Sequence, residues 1–368
     1  MELLSVTMND GVMPRSEIEG KDNSSDDKSN YKVVCKGDMV YNSMRMWQGA
    51  NGISDYDGIV SPAYTVLMPT EEIDNRYFAT LFKTPNLINE FRKNSQGLTS
   101  DTWNLKYPQI SPIRLYIPSL QEQHKISGFI GALESRIGKQ RQLVDSLKKY
   151  KRGLSDKLFG RNAATEGWAT IPFGEIFELL QNNTFSREEM SKENGTVFNI
   201  HYGDVLIKYG AVVNLSKTDV PFIRPDVSLS KFSQQSYLQD GDIVIADTAE
   251  DYTVGKAVEI AGAANAKALS GLHTIPCRPK LSFAPMYLGY FINSNRFRAQ
   301  LLPLVQGTKV SSISKSEIVK TTVAFPSYEV QSRIASILNA VDKKIDICSI
   351  CSRELVRAKE ALLQQLFI

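Results

Sequence analysis

Bond-making chemistry needs a nucleophile, a base, a metal site or a phosphate cradle at a defined spacing, and this sequence offers little of that kind. Its three histidines, His124, His201 and His273, stand far apart, and none lies in an HExxH or other metal-ligand spacing. Cys348 and Cys351 form a lone CxxC, but they fall inside a helical pattern where such a spacing only shares a face, and no second pair completes four ligands. Pro225-Asp226 could open a nuclease-type carboxylate motif, yet no suitably spaced acid and lysine follow. GxxxxGK and GxGxxG loops are absent, and with no Pro-Pro pair the Asn/Asp-Pro-Pro signature of amino-methyltransferases is absent too. The sequence therefore predicts no catalytic residue, no metal ligand and no cofactor held by this chain. Polar side chains on loops are what remain, and they suit recognition.

The elements that position those loops come from a duplication. The stretch from Pro118 to Phe159 returns near the C-terminus: Pro118, Gln123, Ile137, Leu147 and Leu158 are matched at one constant spacing by Pro326, Gln331, Ile345, Leu355 and Leu366. Within the first copy Ile126, Ile130, Leu133, Ile137, Gln140, Val144, Leu147, Lys151, Leu154 and Leu158 alternate steps of four and three, the a/d seam of a heptad. The second copy repeats it with Ile334, Leu338, Val341, Ile345, Cys348, Ser352, Leu355, Lys359, Leu362 and Leu366. Ser119 and Glu122 form a capping box at the first helix start. Two long helices with the same seam, each closing a similar block, are expected to pair antiparallel. Their contact residues would be Ile126, Ile130, Leu133, Ile137, Leu147, Leu154, Ile334, Leu338, Val341, Ile345, Leu355 and Leu362.

Each helix closes a mixed α/β block. In the first, strands are expected at Leu3–Thr7, Lys36–Asn42 and Ser61–Pro69, and a helical region over 75–93 is interrupted near Pro85. The second block repeats landmarks of the first: Gly241–Val244 answers Gly37–Val40, Tyr287 answers Tyr77, and Gln306-Gly307 answers Gln96-Gly97. The predicted organisation is 1–117 as the first domain, 118–160 as the central helix, 161–325 as the second domain and 326–368 as the C-terminal helix. A small linker is expected around Gly160 to Gly167. The fold class is α/β (α+β): two tandem mixed domains separated by two long helices. Two copies of one scaffold with divergent loops point to one type of ligand read in two ways.

Composition sets wider limits. The 368 residues carry 43 basic and 40 acidic side chains, a net +3 that does not by itself announce nucleic acid. Four scattered cysteines and no apolar run of signal-peptide or membrane-span length predict a reduced, cytoplasmic protein with no membrane partner.

Taken in order, these features resemble the specificity subunits of type I restriction-modification systems. The residues that carry the resemblance are Ile117-Pro118 with Gln123 and Phe325-Pro326 with Gln331 opening each helix, Leu158-Phe159 and Leu366-Phe367 closing them, the Gly-Asp strands, the QGLTS and QGTKVSS loops, and the Trp168…Pro172-Phe173-Gly174 opening of the second domain. The resemblance spans nearly the whole chain. It implies two target-recognition domains reading a bipartite DNA site, with no bond-making by this chain. It also implies recruitment of two methylation subunits and of restriction subunits, on which S-adenosylmethionine, ATP and Mg would reside. One departure stands out: the first domain has no counterpart of residues 168–196, so it is expected to be shortened at its N-terminus.

Base readers should be polar, loop-placed residues near the repeated landmarks. In the first domain these are Arg45, Gln48, Asn51, Gln96 and Thr99; in the second, Lys208, Tyr252, Lys256, His273, Thr308 and Lys309. From Ile126 to Leu158 a helix at ~1.5 Å per residue runs roughly 48 Å, which at ~3.4 Å per base pair sets half-site centres about 14 base pairs apart. A coiled-coil scaffold with two protein-binding domains is the alternative, and it would show no preference for DNA.

Overall fold

The computed structural model describes residues 1–368 except 9, 10, 21, 23, 161–166, 308, 309 and 368. The first block contains strands β1 (Glu2–Thr7), β2 (Gly11–Pro14), β3 (Lys32–Val34), β4 (Met39–Asn42), β5 (Asn51–Ile53), β6 (Gly58–Val60) and β7 (Tyr64–Leu67), then helices α1 (Asn75–Leu81), α2 (Pro85–Asn94) and α3 (Tyr107–Ile110). Pro85 sits at the first position of α2, where its missing N–H costs nothing. The long helix α4 (Leu120–Phe159) follows.

The second block has strands β8 (Ala169–Pro172), β9 (Phe177–Leu179), β10 (Met190–Ser191), β11 (Val197–Ile200), β12 (Val212–Asn214), β13 (Phe222–Ile223), β14 (Ile243–Ala246), β15 (Thr248–Ala249), β16 (Ala257–Ala261), β17 (Lys267–Ser270), β18 (Thr274–Pro279), β19 (Ser311–Ser312) and β20 (Thr322–Phe325). Its helices are α5 (Phe173–Ile176), α6 (Tyr202–Ile207), α7 (Tyr287–Ile292), α8 (Asn295–Leu301) and α9 (Lys315–Ile318), and α10 (Tyr328–Leu366) ends the chain. Most of the linker expected at Gly160–Gly167 lies outside the described residues.

The chain divides into two compact units, Met1–Gln142 with Ser349–Ile368, and Leu143–Cys348. Each unit therefore holds one mixed α/β block and one part of each long helix. In the first unit the sheets run β2-β1-β6-β3 and β5-β4-β7; in the second the principal sheets run β12-β16-β14-β18-β9 and β10-β13-β11-β17. The repeated Gly-Asp strand is central in both. On β14, Ile243 and Ile245 face one apolar cluster while Val244 and Ala246 face another, so the strand is buried on both sides. On β4, Met39 and Tyr41 face one cluster and Val40 the other, the same alternation.

The motifs shared by the two copies have common structural roles. Gly37 and Gly241 take φ of +99° and +86°, a left-handed turn that admits glycine readily, and each turn closes through Asp38 N–H to the Cys35 carbonyl or Asp242 N–H to the Gln239 carbonyl. The aspartates then accept from the backbone N–H three residues back, Cys35 N and Gln239 N, both at 2.8 Å. The paired glutamines pin each long helix to its own domain. Gln123 accepts from Asp74 N at 3.0 Å and donates to the Pro118 carbonyl at 3.0 Å; Gln331 accepts from Ala284 N at 3.0 Å and donates to the Pro326 carbonyl at 2.9 Å. Both are buried. Gln331→Ala should cost about 2 kcal/mol, because a buried N–H and a buried carbonyl lose their partners together; thermal denaturation of Gln331→Ala and Gln123→Ala measures it.

The Leu-Phe ends cross over. Phe159, at the end of α4, packs on Tyr287 and Phe291 at ring distances of 5.9 and 5.7 Å; Phe367, just after α10, packs on Tyr77 at 5.2 Å. Each helix is thus pinned by its start to the domain before it and packs by its end on the other domain.

The two helices run antiparallel. In the first unit the Lys359 ammonium meets Glu134 at 2.5 Å, and in the second Lys151 meets Asp342 at 2.6 Å. Going forward from Glu134 to Lys151 moves backward from Lys359 to Asp342 by the same number of residues, so both pairs obey one register. The heptad positions form the inner stripe: Ile130, Ile137, Ile334 and Leu338 are buried, and Ile126, Leu133, Leu147, Leu154, Val341, Ile345, Leu355 and Leu362 are half-buried. Cys348 is buried within the same seam and Cys351 is half-buried beside it, which is a packing role.

Candidate nucleic-acid interface

In both copies, the loop after the Gly-Asp strand meets the loop after the Gln-Gly pair. In the first domain Leu105 N–H donates to the Ser43 carbonyl at 2.8 Å; in the second Ile313 N–H donates to the Asp247 carbonyl at the same distance. The Gln-Gly loops close alike, through paired backbone bonds between Gln96 and Asn104 and between Gln306 and Ser312. A rigid sheet therefore presents two abutting loops at an equivalent place in each repeat.

On the first platform, Trp47 and Trp103 meet edge to face at 5.2 Å and so fasten the two loops together. The Arg92 guanidinium lies over the Trp47 ring, 5.6 Å from its centre, which adds a cation to the platform. Arg45 is half-buried at the start of the turn, and Gln48, Gln96 and Thr99 are exposed around it. Thr99 also closes its own loop with Thr102. Asn51 stands apart: it is fully buried, donates to the Gly49 carbonyl at 3.1 Å, and its Oδ1 finds no partner among the described residues.

On the second platform, β15 pairs with β19 and joins the loops as the tryptophans do in the first. Tyr252 projects at the tip with 85% exposure, and its carbonyl accepts from Arg298. His273 is exposed beside them, its Nδ1 3.4 Å from Thr248 Oγ1 and 3.5 Å from Asp247. Its φ of +54° is left-handed, an unusual conformation for a residue with a side chain and one that collects at ligand-facing positions. Lys256 is turned inward, donating to the carbonyls of Leu206 and Tyr209 at 2.9 Å each, and burial depresses its pKa. Lys208 lies on the exposed end of α6 and pairs with Asp219 at 2.8 Å. Thr308 and Lys309 fall outside the described residues.

Among the other histidines, His201 is buried and accepts from Gly203 N at 3.1 Å, capping α6. Burial and the nearby Arg187 guanidinium push its imidazole down to about 4, so it is neutral near pH 7. His124 is exposed on α4. Besides Trp47, five platform residues were not among the sequence candidates. Arg92 and Trp103 join the first platform, while Arg298, Asn182 and Lys315 border the second; Asn182 donates to the Gly271 carbonyl and faces Lys315 Nζ at 3.5 Å. Trp103 carried a usable signal, an aromatic inside a polar loop. The others reach the platforms only through tertiary contacts.

Residues 5–149 and 165–351 match the family described as the type I restriction modification DNA specificity domain. The chain belongs to this family. Among its curated relatives, the type I restriction enzyme MjaVIII specificity subunit of Methanocaldococcus jannaschii is 23% identical over 365 residues, covering 92% of this chain and 81% of the relative. The StySPI specificity subunit of Salmonella potsdam is 26% identical over 191 residues, covering 50% of this chain and 38% of its own. A solved S subunit of a type I restriction-modification system from M. genitalium superposes with a TM-score of 0.56 at 16% identity, covering 92% of this chain and 84% of that one. A chain from a solved type I R-M system gives 0.54 at 18%, covering 91% and 83%. At these identities the structural likeness speaks for the fold: mixed α/β domains joined by a pair of long helices. The specificity-domain family assigns the chain to DNA recognition. Among the described residues no helix is long and apolar enough to cross a membrane.

Proposed function

We propose that this chain is the non-catalytic recognition subunit of a type I restriction-modification assembly, reading a split DNA target with one half-site per domain. The observation that carries this reading is the pair of equivalent loop platforms, each built by the same backbone bond, Leu105 to Ser43 and Ile313 to Asp247. Their side chains differ, so each copy would read different bases. Arg45, Gln48 and Gln96 would meet base edges or phosphates from the first platform, and Tyr252 and His273 from the second. The antiparallel helices would hold the unread spacer and offer the surface for two methylation subunits, with restriction subunits joining them. S-adenosylmethionine, ATP and Mg are assigned to those partners, and the whole to the cytoplasm.

The test is co-expression with the methylation subunit, followed by selection of bound DNA from a random library. A motif of two defined half-sites with a fixed gap is expected. Gln48→Ala should relax the first half-site and His273→Ala the second, each by ~1–3 kcal/mol at one position. Binding should also fall steeply with salt. A well-formed complex that enriches no sequence would overturn the reading and leave the scaffold.

A further inference from the structure

The first platform leaves a large apolar side chain in water at the tip of its Gln-Gly loop. Leu98 stands between Gln96 and Thr99 and is fully exposed, whereas Leu81, Leu87 and Leu105 of the same domain are buried. The loop that holds it bonds to itself. Gln96 and Asn104 exchange two backbone bonds at its base, and Thr102 N–H donates to the Thr99 carbonyl at 3.0 Å. Thr99 N–H in turn donates to Thr102 Oγ1 at 3.2 Å. Gly97 turns at a φ of +148°, where a Cβ would lie 2.6 Å from the Thr102 carbonyl oxygen, so only glycine lets the backbone close this tightly. A lone exposed leucine is ordinary on a protein surface; one held out on a self-bonded loop beside ligand-facing amides is placed to meet the ligand.

Its surroundings identify the ligand group. Met44, in the loop after the Gly-Asp strand, is a second exposed apolar side chain, and its carbonyl accepts from the Trp47 indole at 3.2 Å. That loop, residues 43–50, carries Arg45 and no acid, and Arg92 lies over Trp47, so the charge suits a polyanion. Gln48 and Gln96 are exposed, one on each loop. Their amides match adenine through its N6 and N7, which face the major groove. Thymine, the partner of adenine, presents its 5-methyl group in that same groove, and the minor groove presents no such group.

We propose that Leu98 reads a thymine in the first half-site by packing on its 5-methyl group, beside an adenine met by Gln48 or Gln96. The inference rests on the DNA-reading function proposed above and adds to it the base and the group recognised. Attraction comes from taking a methyl group and a fully exposed leucine out of water together. Rejection adds to it. Cytosine in the same place would bring its N4 donor toward a side chain that offers no acceptor.

The probes are two random duplex libraries, one made with thymine and one with deoxyuridine in its place, each bound to the complex of this chain with the methylation subunit. They differ only in the 5-methyl groups. In one half-site the deoxyuridine library should lose or weaken a position that the thymine library specifies. In the selected duplex, deoxyuridine at that position should weaken binding about fourfold, the factor that burying one methyl group supplies. Leu98→Ala should bind the thymine duplex more weakly and be indifferent to the replacement. The side chain is fully exposed, so this variant keeps its core. The same motif from both libraries, or an equal loss in the parent and in Leu98→Ala, would overturn the proposal and leave the DNA-reading function standing. Enrichment from neither library would remove that function and this proposal together.

Discussion

Truncating Phe159 to alanine should destabilise the second unit by ~3–5 kcal/mol, the cost of removing a large aromatic from a core that cannot fully collapse. The ring is completely buried, touches Tyr287 and Phe291, and sits among residues of α7, α8 and β14. The loss has a location as well as a size. Hydrogen exchange should show the loosening around Tyr287 to Phe297, with α1 and α2 unaffected. Phe367→Ala should do the reverse, loosening Tyr77 to Phe91. Phe367 retains 8% exposure, so its effect belongs at the lower end of the range. If either substitution loosened the domain that precedes its own helix, the crossed arrangement would be wrong. A match between the site of loosening and the crossed contact would show that each helix end is an anchor for the other domain.

This crossing shows where the sequence was informative and where it stopped. The heptads were legible because a period near 3.5 has few other physical meanings, and the buried stripe through Ile130, Ile137, Ile334 and Leu338 follows them. Antiparallel pairing was also legible, from the equal lengths and matched seams. The Gln and Leu-Phe motifs were visible as repeats, but their roles were not: Gln123 acts on Asp74 N and Phe367 on Tyr77, contacts that no local pattern encodes.

The platform loops show the same limit at the level of side chains. Turn chemistry places Asn51 and Lys256 near loops, but not on which side of the chain they point. Asn51 belongs to a three-residue strand, too short for alternation to decide between core and solvent, and it is buried. Lys256 has a long stem that lets it turn back on the carbonyls of Leu206, in the last turn of α6, and Tyr209, just beyond it. By contrast Gln48, Gln96, Tyr252 and His273 are exposed on the loops where the sequence put them. Arg92 joins its platform by stacking on Trp47 from a separate helix, a contact invisible to any reading by position.

A buried carboxylate should make the second unit lose stability as pH rises. Glu259 lies on β16, 4% exposed, and accepts from Met286 N and Gly289 N, the start of α7; among the described residues no cationic side chain is paired with it. Burial pushes its pKa up to about 7, against the bonds from those N–H groups. Between its ordinary value of 4.5 and about 7 the folded chain therefore holds a proton that the unfolded chain has released. Stability then falls with rising pH across that window by about 3 kcal/mol and is flat above it. Asp242, also raised by burial, adds to the same slope. His201 opposes it: its folded value is depressed, so its contribution rises with pH between about 4 and 6.5. The profile of the unaltered protein is a sum of opposing slopes, and the difference between variants separates them. Glu259→Gln replaces one acceptor with a donor facing a backbone N–H, a fixed cost that does not change with pH. The stability of Glu259→Gln relative to the parent should nevertheless climb by about 3 kcal/mol between pH 4.5 and 8, because the titration has been removed. Chemical denaturation across that range measures the difference directly. A difference that stays constant with pH would mean Glu259 is already ionised throughout, with the start of α7 supplying all the stabilisation its charge requires.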